Sequence, residues 1–280
     1  MIDVGEYRRQ GFALCKGFFA AEEIAQIHSE AKEVFAMQMR RHGLLPAGDV
    51  SDAEFNAGMF NLFEIDLPSI ITCGKHAQHL ISLHRLSLDD RIITALKGLG
   101  LSFPNISTRP TLYFNHPRLA QKEVFWRLWL HQDWRAMQGS LDSVVVWVPL
   151  VDIDKSLGAL EIVPGSHRWG LLAAEMVDGV GDIAPEAASR IDPASLLTVE
   201  VERGDALFFS TLLVHRSGTN VTESLRWSCH FRYNNLFEKT FIERGYPHPY
   251  IYKPQNELIS PGFPAVAEVN KIFCPEDNEG

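Results

Sequence analysis

Trp129-Leu130-His131-Gln132-Asp133-Trp134-Arg135 governs the reading of the whole chain. It ends an apolar, aromatic run beginning at Val124, which predicts a strand. On an extended chain side chains repeat every second residue, so His131 and Asp133 should point the same way. An imidazole and a carboxylate converging on one point make two thirds of a facial triad. That donor set holds Fe(II) on one side and leaves the remaining coordination positions open. The third ligand is expected from a distant strand, and His215, closing Phe208-Phe209-Ser210-Thr211-Leu212-Leu213-Val214-His215, is the best candidate. Arg226, eleven residues on, is a fixed cation able to clamp a carboxylate at two points, and its strand neighbours leave little room for another such charge. On spacing alone, His131 and Asp133 read equally well as a hydrogen-bonded pair at a strand end; for Arg226 the lesser alternative is a strand-face cation paired with an acid.

Around these residues the chain has the texture of short strands and turns. Thr111–Asn115, the β-branched run Val144–Val151, Leu160–Val163 closed by Pro164-Gly165, and the alternating Leu197–Glu202 all predict strands. Gly204-Asp205 turns the chain into Ala206–Phe209. Arg226–Asn234 alternates again, with Trp227, Cys229, Phe231 and Tyr233 on one face and Arg226, Ser228, His230 and Arg232 on the other. Residues 168–195 read as an insertion with a short helix. Before the strands, Gly11–Phe19 predicts a strand and Ala20–Arg41 an amphipathic helix, with Ile24, Ile27, Ala31, Val34 and Phe35 at helical spacing. Residues 43–60 lack periodicity and read as a loop. Ser87 is the expected cap of a helix that Gly98 and Gly100 end. Together these predict a mainly β fold with flanking helices, a double-stranded β-helix (jelly-roll, cupin-like) core. A single domain over 1–280 is expected: a helical part to about 105, a jelly roll over about 106–236, and a proline-punctuated cover from about 237 to 280.

Composition excludes several function classes. The 280 residues are 46% hydrophobic and 22% charged, enough for a sizeable core, and the formal net charge of −9 argues against a nucleic-acid or anionic-membrane surface. No apolar run reaches the ~18 residues of a membrane span, and the start lacks a secretion signal. The four cysteines (Cys15, Cys73, Cys229, Cys274) have no metal or redox spacing and read as free thiols in a reducing, cytoplasmic setting, with Cys229 in the core. His76, His79 and His84 lack a partner carboxylate or cysteine at ligand spacing and read as surface polarity.

His131-x-Asp133, the run Trp147-Val148-Pro149-Leu150-Val151-Asp152, the turn Gly158–Pro164-Gly165-Ser166-His167 and the distal His215 with Arg226 in order resemble the phytanoyl-CoA dioxygenase family of Fe(II)- and 2-oxoglutarate-dependent oxygenases. The resemblance covers about Arg109 to Asn234, and more loosely Gly11–Leu14. It implies the jelly-roll fold, His131, Asp133 and His215 as catalytic iron ligands, and Arg226 and Ser217 at the distal carboxylate of 2-oxoglutarate. It further implies Trp147 as a wall of the co-substrate pocket; Tyr113 and Asn115, on the strand before His131-x-Asp133, are expected to hydrogen-bond the co-substrate near the metal. Iron, 2-oxoglutarate and O2 are then the cofactor set, with ascorbate as an activator. The implied outcome is hydroxylation of an aliphatic carbon of a small metabolite, with release of succinate and CO2. Halogenating relatives carry a small residue in place of the acid, so Asp133 favours hydroxylation. Arg135 and Arg109 are candidates for an anionic substrate group, and His167 is read as a structural histidine holding its turn. The other reading is a cupin-like metal-binding isomerase or binding protein without oxygenase activity, against which Arg226 and Ser217 argue. The sequence identifies neither the substrate nor the oligomeric state.

Overall fold

The computed structural model describes residues 2–121, 127–177 and 180–248. The first part is helical: α1 (Val4–Gln10), β1 (Phe12–Cys15), α2 (Ala21–Arg41), α3 (Asp52–Ile65), α4 (Leu67–Ala77), α5 (Ile81–Ser87) and α6 (Asp90–Leu99). Then follow β2 (Pro104–Ile106), β3 (Thr111–Asn115), α7 (Trp134–Met137), β4 (Val144–Pro149), β5 (Leu160–Ile162), β6 (Ala174–Val177), β7 (Val180–Ile183), α8 (Pro185–Ala188), β8 (Leu197–Val199), β9 (Ala206–Ser210), β10 (His215–Arg216), β11 (Arg226–Asn235) and α9 (Lys239–Glu243). Most of the proline-rich tail, from residue 249, and Cys274 lie outside the described residues, as does the Val124–Trp126 part of the predicted strand.

Two antiparallel sheets form the core. The larger, six-stranded one runs β1-β9-β4-β11-β2, and β3 shares with β2 the same edge of the long β11. The smaller runs β10-β5-β8. The alternation of β11 explains the arrangement. Trp227, Cys229, Phe231 and Tyr233 turn outward with Val144, Val146 and Phe208 into a core shared with Ile24, Ala31 and Phe35 of α2 and Phe55 of α3. Val145, Trp147, Leu207 and Phe209 turn inward and meet Leu160, Ile162 and Val199 of the small sheet. A strand buried on both faces needs no polar alternation, which is why Val144–Pro149 is continuously apolar. The inward residues of β11 are polar, and they line the site.

Three local expectations are corrected. Residues 43–60 are not all loop: α3 begins at Asp52, where Ser51 caps the Glu54 amide and the Glu54 carboxylate returns a bond to the Ser51 amide. Ser87 does not cap a helix; it ends α5, and the Asp89 carboxylate caps α6. The stretch before His131 is irregular at 127–129, and Asp133 has helical dihedrals (φ −60°, ψ −28°) as the N-cap of α7. His131 and Asp133 therefore converge across a turn from a β-bridge into a helix, not along one strand.

His167 holds its turn as the sequence suggested. It is fully buried, and its Nε2 donates to the Arg8 carbonyl at 3.2 Å. Gly11, at φ +82°, leaves room for it, since a Cβ there would lie 2.4 Å from His167 Nδ1. Burial pushes His167 and the core residue His28 each down to about 4. In the unfolded chain these imidazoles protonate near pH 6.5, so between about pH 6.5 and 4 the unfolded state binds more protons than the folded one. Stability from these groups is complete above that window and is lost as the pH falls through it. Urea unfolding of the metal-free protein is expected to show a loss on the order of several kcal/mol from pH 7 to pH 4.5. A flat profile across that range would contradict the neutral burial of both histidines.

Candidate metal centre

His131, Asp133 and His215 are buried, and their ligand atoms lie within 4.8 Å of one another, the only such cluster among the described residues. The two histidines are paired by backbone: the His131 amide donates to the His215 carbonyl at 2.9 Å and the His215 amide returns the bond at 3.2 Å. His215 stands directly across from Ile162, on the inner face of the small sheet, with its ring 4.9 Å from that of Phe209 on the opposite sheet. Each imidazole is oriented by its own chain. His131 Nδ1 donates to the Trp129 carbonyl at 2.7 Å, and His215 Nδ1 to the Leu213 carbonyl at 3.0 Å. With Nδ1 carrying the proton, both rings present an Nε2 lone pair, the form a metal requires. Burial, with His131 beside it, pushes His215 down to about 4, keeping it neutral at physiological pH.

Asp133 is fixed by residues the sequence reading did not single out. Arg232, on the inner face of β11, donates from Nη2 to one carboxylate oxygen at 3.0 Å and from Nε to the other at 3.4 Å. Burial alone would raise the Asp133 carboxyl, but Arg232, then His215, His131 and His230, hold it well below the usual carboxylate range. The expectation that this face has little room for a second cation is therefore wrong; Arg232 fits because the acid neutralises it. Between the two ligands, the Gln132 amide donates to the carbonyls of Gly170 and Leu212 and accepts from the Leu172 amide, pinning the turn that brings His131 and Asp133 together. The signal for Arg232 was present in the β11 alternation; nothing local marks Gln132.

Arg226 is 4% exposed at the other end of the same row. Its Nη1 donates to the Gly158 carbonyl at 2.5 Å and its Nη2 lies 3.5 Å from Ser217 Oγ, while its Nε is buried with no hydrogen-bond partner. The Gly158 carbonyl reaches it because Gly158 (φ +89°) and Gly218 pack so closely that a Cβ on Gly218 would sit 2.3 Å from the Ala159 carbonyl oxygen. Burial lowers Arg226 to about 10, still a cation at neutral pH. Between Arg226 and Arg232, the inward Ser228 Oγ and His230 Nε2 are also buried without hydrogen-bond partners. Cross-strand register sets Asn115 opposite Arg226, Tyr113 opposite Ser228, and Trp147 opposite His230, whose ring lies 5.2 Å from that of Tyr113. An unpaired guanidinium N–H in a buried wall is costly unless a ligand completes it, and an anionic acceptor is the natural complement. The donor set of the triad and the open Nε of Arg226 fit Fe(II) and the two ends of a dicarboxylate oxo acid.

Arg135 and Arg109 stand differently. Arg135 Nη2 donates to the Leu172 carbonyl at 2.8 Å, and Arg109 is exposed in the irregular segment before β3. Among the described residues Cys15, Cys73 and Cys229 are free and buried, and no helix is long and apolar enough to cross a membrane.

The model of one family, described as Phytanoyl-CoA dioxygenase (PhyH), matches residues 7–228. The peroxisomal phytanoyl-CoA dioxygenase of Rattus norvegicus is 24% identical over 241 residues, covering 80% of this chain and 66% of the rat protein, just under two thirds of its length. An ectoine dioxygenase of Bordetella parapertussis is 25% identical, covering 98% of this chain and 86% of its own. Among solved structures, the epimerase SnoN in complex with Fe3+, alpha ketoglutarate and nogalamycin RO superposes with a TM-score of 0.55 at 21% identity, covering 83% of this chain and 82% of that one, a likeness of fold.

Proposed function

The chain belongs to the phytanoyl-CoA dioxygenase family of Fe(II)- and 2-oxoglutarate-dependent oxygenases, and on that basis we propose that it hydroxylates an aliphatic carbon of a small metabolite. The observation that carries this reading is the shared inner wall: the triad at one end, and at the other a buried Arg226 whose Nε has no partner. His131, Asp133 and His215 would hold iron, and Arg226 with Ser217 would take the distal carboxylate of 2-oxoglutarate. Bound there, iron and 2-oxoglutarate supply O2 activation by oxidative decarboxylation to succinate and CO2.

The protein's own contribution is position and charge. The Trp129 and Leu213 carbonyls keep both imidazoles in the ligating tautomer. Arg232 keeps Asp133 ionised and aimed, and Phe209 and Trp147 keep the inter-sheet space apolar around the reacting atoms. Tyr113 and Asn115, beside Ser228 and Arg226, are proposed to contact the co-substrate. Asp133 favours hydroxylation over halogenation, because its carboxylate would take the place on iron that a halide would need.

Two tests arise here. Purified protein given Fe(II), 2-oxoglutarate and O2 is expected to release succinate slowly by itself and faster with substrate; no iron-dependent succinate above background would refute the reading. Arg232→Met is expected to lower iron affinity about 10–100-fold, as removal of outer partners does at other metal centres. Unchanged iron affinity in that variant would deny Arg232 its orienting role.

A further inference from the structure

The hairpin β6–β7 brings a second acid to the metal centre. Asp182 is 8% exposed, and its Oδ1 is buried with no hydrogen-bond partner. Its place follows from the backbone. The Ile183 amide donates to the Leu130 carbonyl at 2.8 Å, which sets β7 beside the segment that enters His131. The Ile183 side chain packs with Val163, Val214 and Leu130 on one side of this layer. Residues next to these in sequence turn to the other side: Asp182, His131 and His215. Burial raises the Asp182 carboxyl, and the nearby His131 imidazole offsets only part of that rise. The hairpin is tied to the centre at its root as well, since Gln132 accepts from the Leu172 amide and Arg135 donates to the Leu172 carbonyl.

Asp182 has no part in holding the triad. His131 Nδ1 is satisfied by the Trp129 carbonyl, and Asp133 is satisfied by Arg232. Among the described residues no Lys or Arg pairs with Asp182. Directly across the hairpin stands Glu175, exposed and on the same face, so among the described residues this face of the hairpin presents two acids and no Lys or Arg. A buried carboxylate oxygen without a donor is costly, and a positively charged donor offsets that cost most effectively.

We propose that Asp182 is a specificity-determining residue that receives a cationic nitrogen of the primary substrate, an ammonium or amidinium group, beside the metal centre. This rests on the oxygenase reading and narrows its substrate class to small cationic or zwitterionic metabolites. It also reverses the expectation that Arg135 and Arg109 receive an anionic group there.

The test uses the full chain loaded with Ni(II) and 2-oxoglutarate, which holds the site without turnover, and three probes of one shape: cyclohexylammonium, cyclohexanol and cyclohexanecarboxylate. Binding is read by saturation-transfer NMR. The ammonium is expected to bind best, and Asp182→Asn to weaken it about tenfold, the scale of one charge-assisted hydrogen bond. Equal binding of the three, preference for the carboxylate, no ammonium binding to the wild type, or full ammonium affinity in Asp182→Asn would each overturn the proposal. The visible band of Fe(II) with 2-oxoglutarate, recorded on the wild type, separates the two readings. If the band is present without ammonium preference, only the assignment of Asp182 fails; if it is absent, the oxygenase reading itself fails.

Discussion

Asp133→Ala is expected to cost the metal-free protein about 3–5 kcal/mol of stability and to abolish iron-dependent succinate release. Asp133 and Arg232 are paired in a buried wall at 3.0 and 3.4 Å. Removing the acid leaves the guanidinium out of water with nothing to neutralise it, and takes away one of the three proposed iron ligands. The two effects can be separated. Urea unfolding in the presence of a chelator reads the first, and Asp133→Ala/Arg232→Met should recover much of the lost stability, because an unpaired cation is no longer buried. Iron binding should stay lost in the double variant. If the double variant is as unstable as Asp133→Ala, the stability effect does not come from the stranded charge.

Arg226→Ala carries the second large effect. Truncating one partner of a buried, hydrogen-bonded charge pair costs about 2–5 kcal/mol, or roughly thirty- to several-thousand-fold in affinity. That loss should fall on the KM for 2-oxoglutarate, while kcat at saturating co-substrate changes much less because the triad is untouched. Arg226→Lys should lie between the two, since an ammonium restores the charge without the fork that reaches Gly158, Ser217 and a carboxylate together. An unchanged KM for 2-oxoglutarate in Arg226→Ala would remove Arg226 from the co-substrate site. A collapse of kcat alone would place it at the reacting atoms instead.

The parts of this site legible in the sequence are those fixed by periodicity and residue chemistry. Arg226–Asn234 alternates so regularly that both of its faces could be read directly, and the structure buries Trp227, Cys229, Phe231 and Tyr233 against the helices as that alternation requires. His131, Asp133 and His215 were legible because few other residue types can form that donor set. What stayed hidden was set by tertiary geometry. Asp133 bends into a helix because Trp134 N donates to the Thr211 carbonyl and Gln132 is tied to the carbonyls of Gly170 and Leu212, contacts between segments far apart in the chain. The pairing of Arg232 with Asp133 needs both positions in space, and strand alternation alone gives only the face. Helix α3 is a different case. Its Ser51-Asp52-Ala53-Glu54 capping box was visible, but the weak apolar periodicity that follows masked it. In residues 168–195 an insertion with a short helix was expected; the hairpin within it, which carries Asp182, comes from pairing that composition does not reveal.

The most direct measurement is anaerobic titration of 2-oxoglutarate into the Fe(II)-loaded protein, watched in the visible range. A 2-oxo acid chelated to iron gives a weak charge-transfer band, and its growth to saturation, with loss in His215→Ala and a shift to higher 2-oxoglutarate in Arg226→Ala, is the expected result. Tight Fe(II) binding at His131, Asp133 and His215 with no band at any 2-oxoglutarate concentration would contradict it, and would leave a cupin-like metal protein in place of an oxygenase.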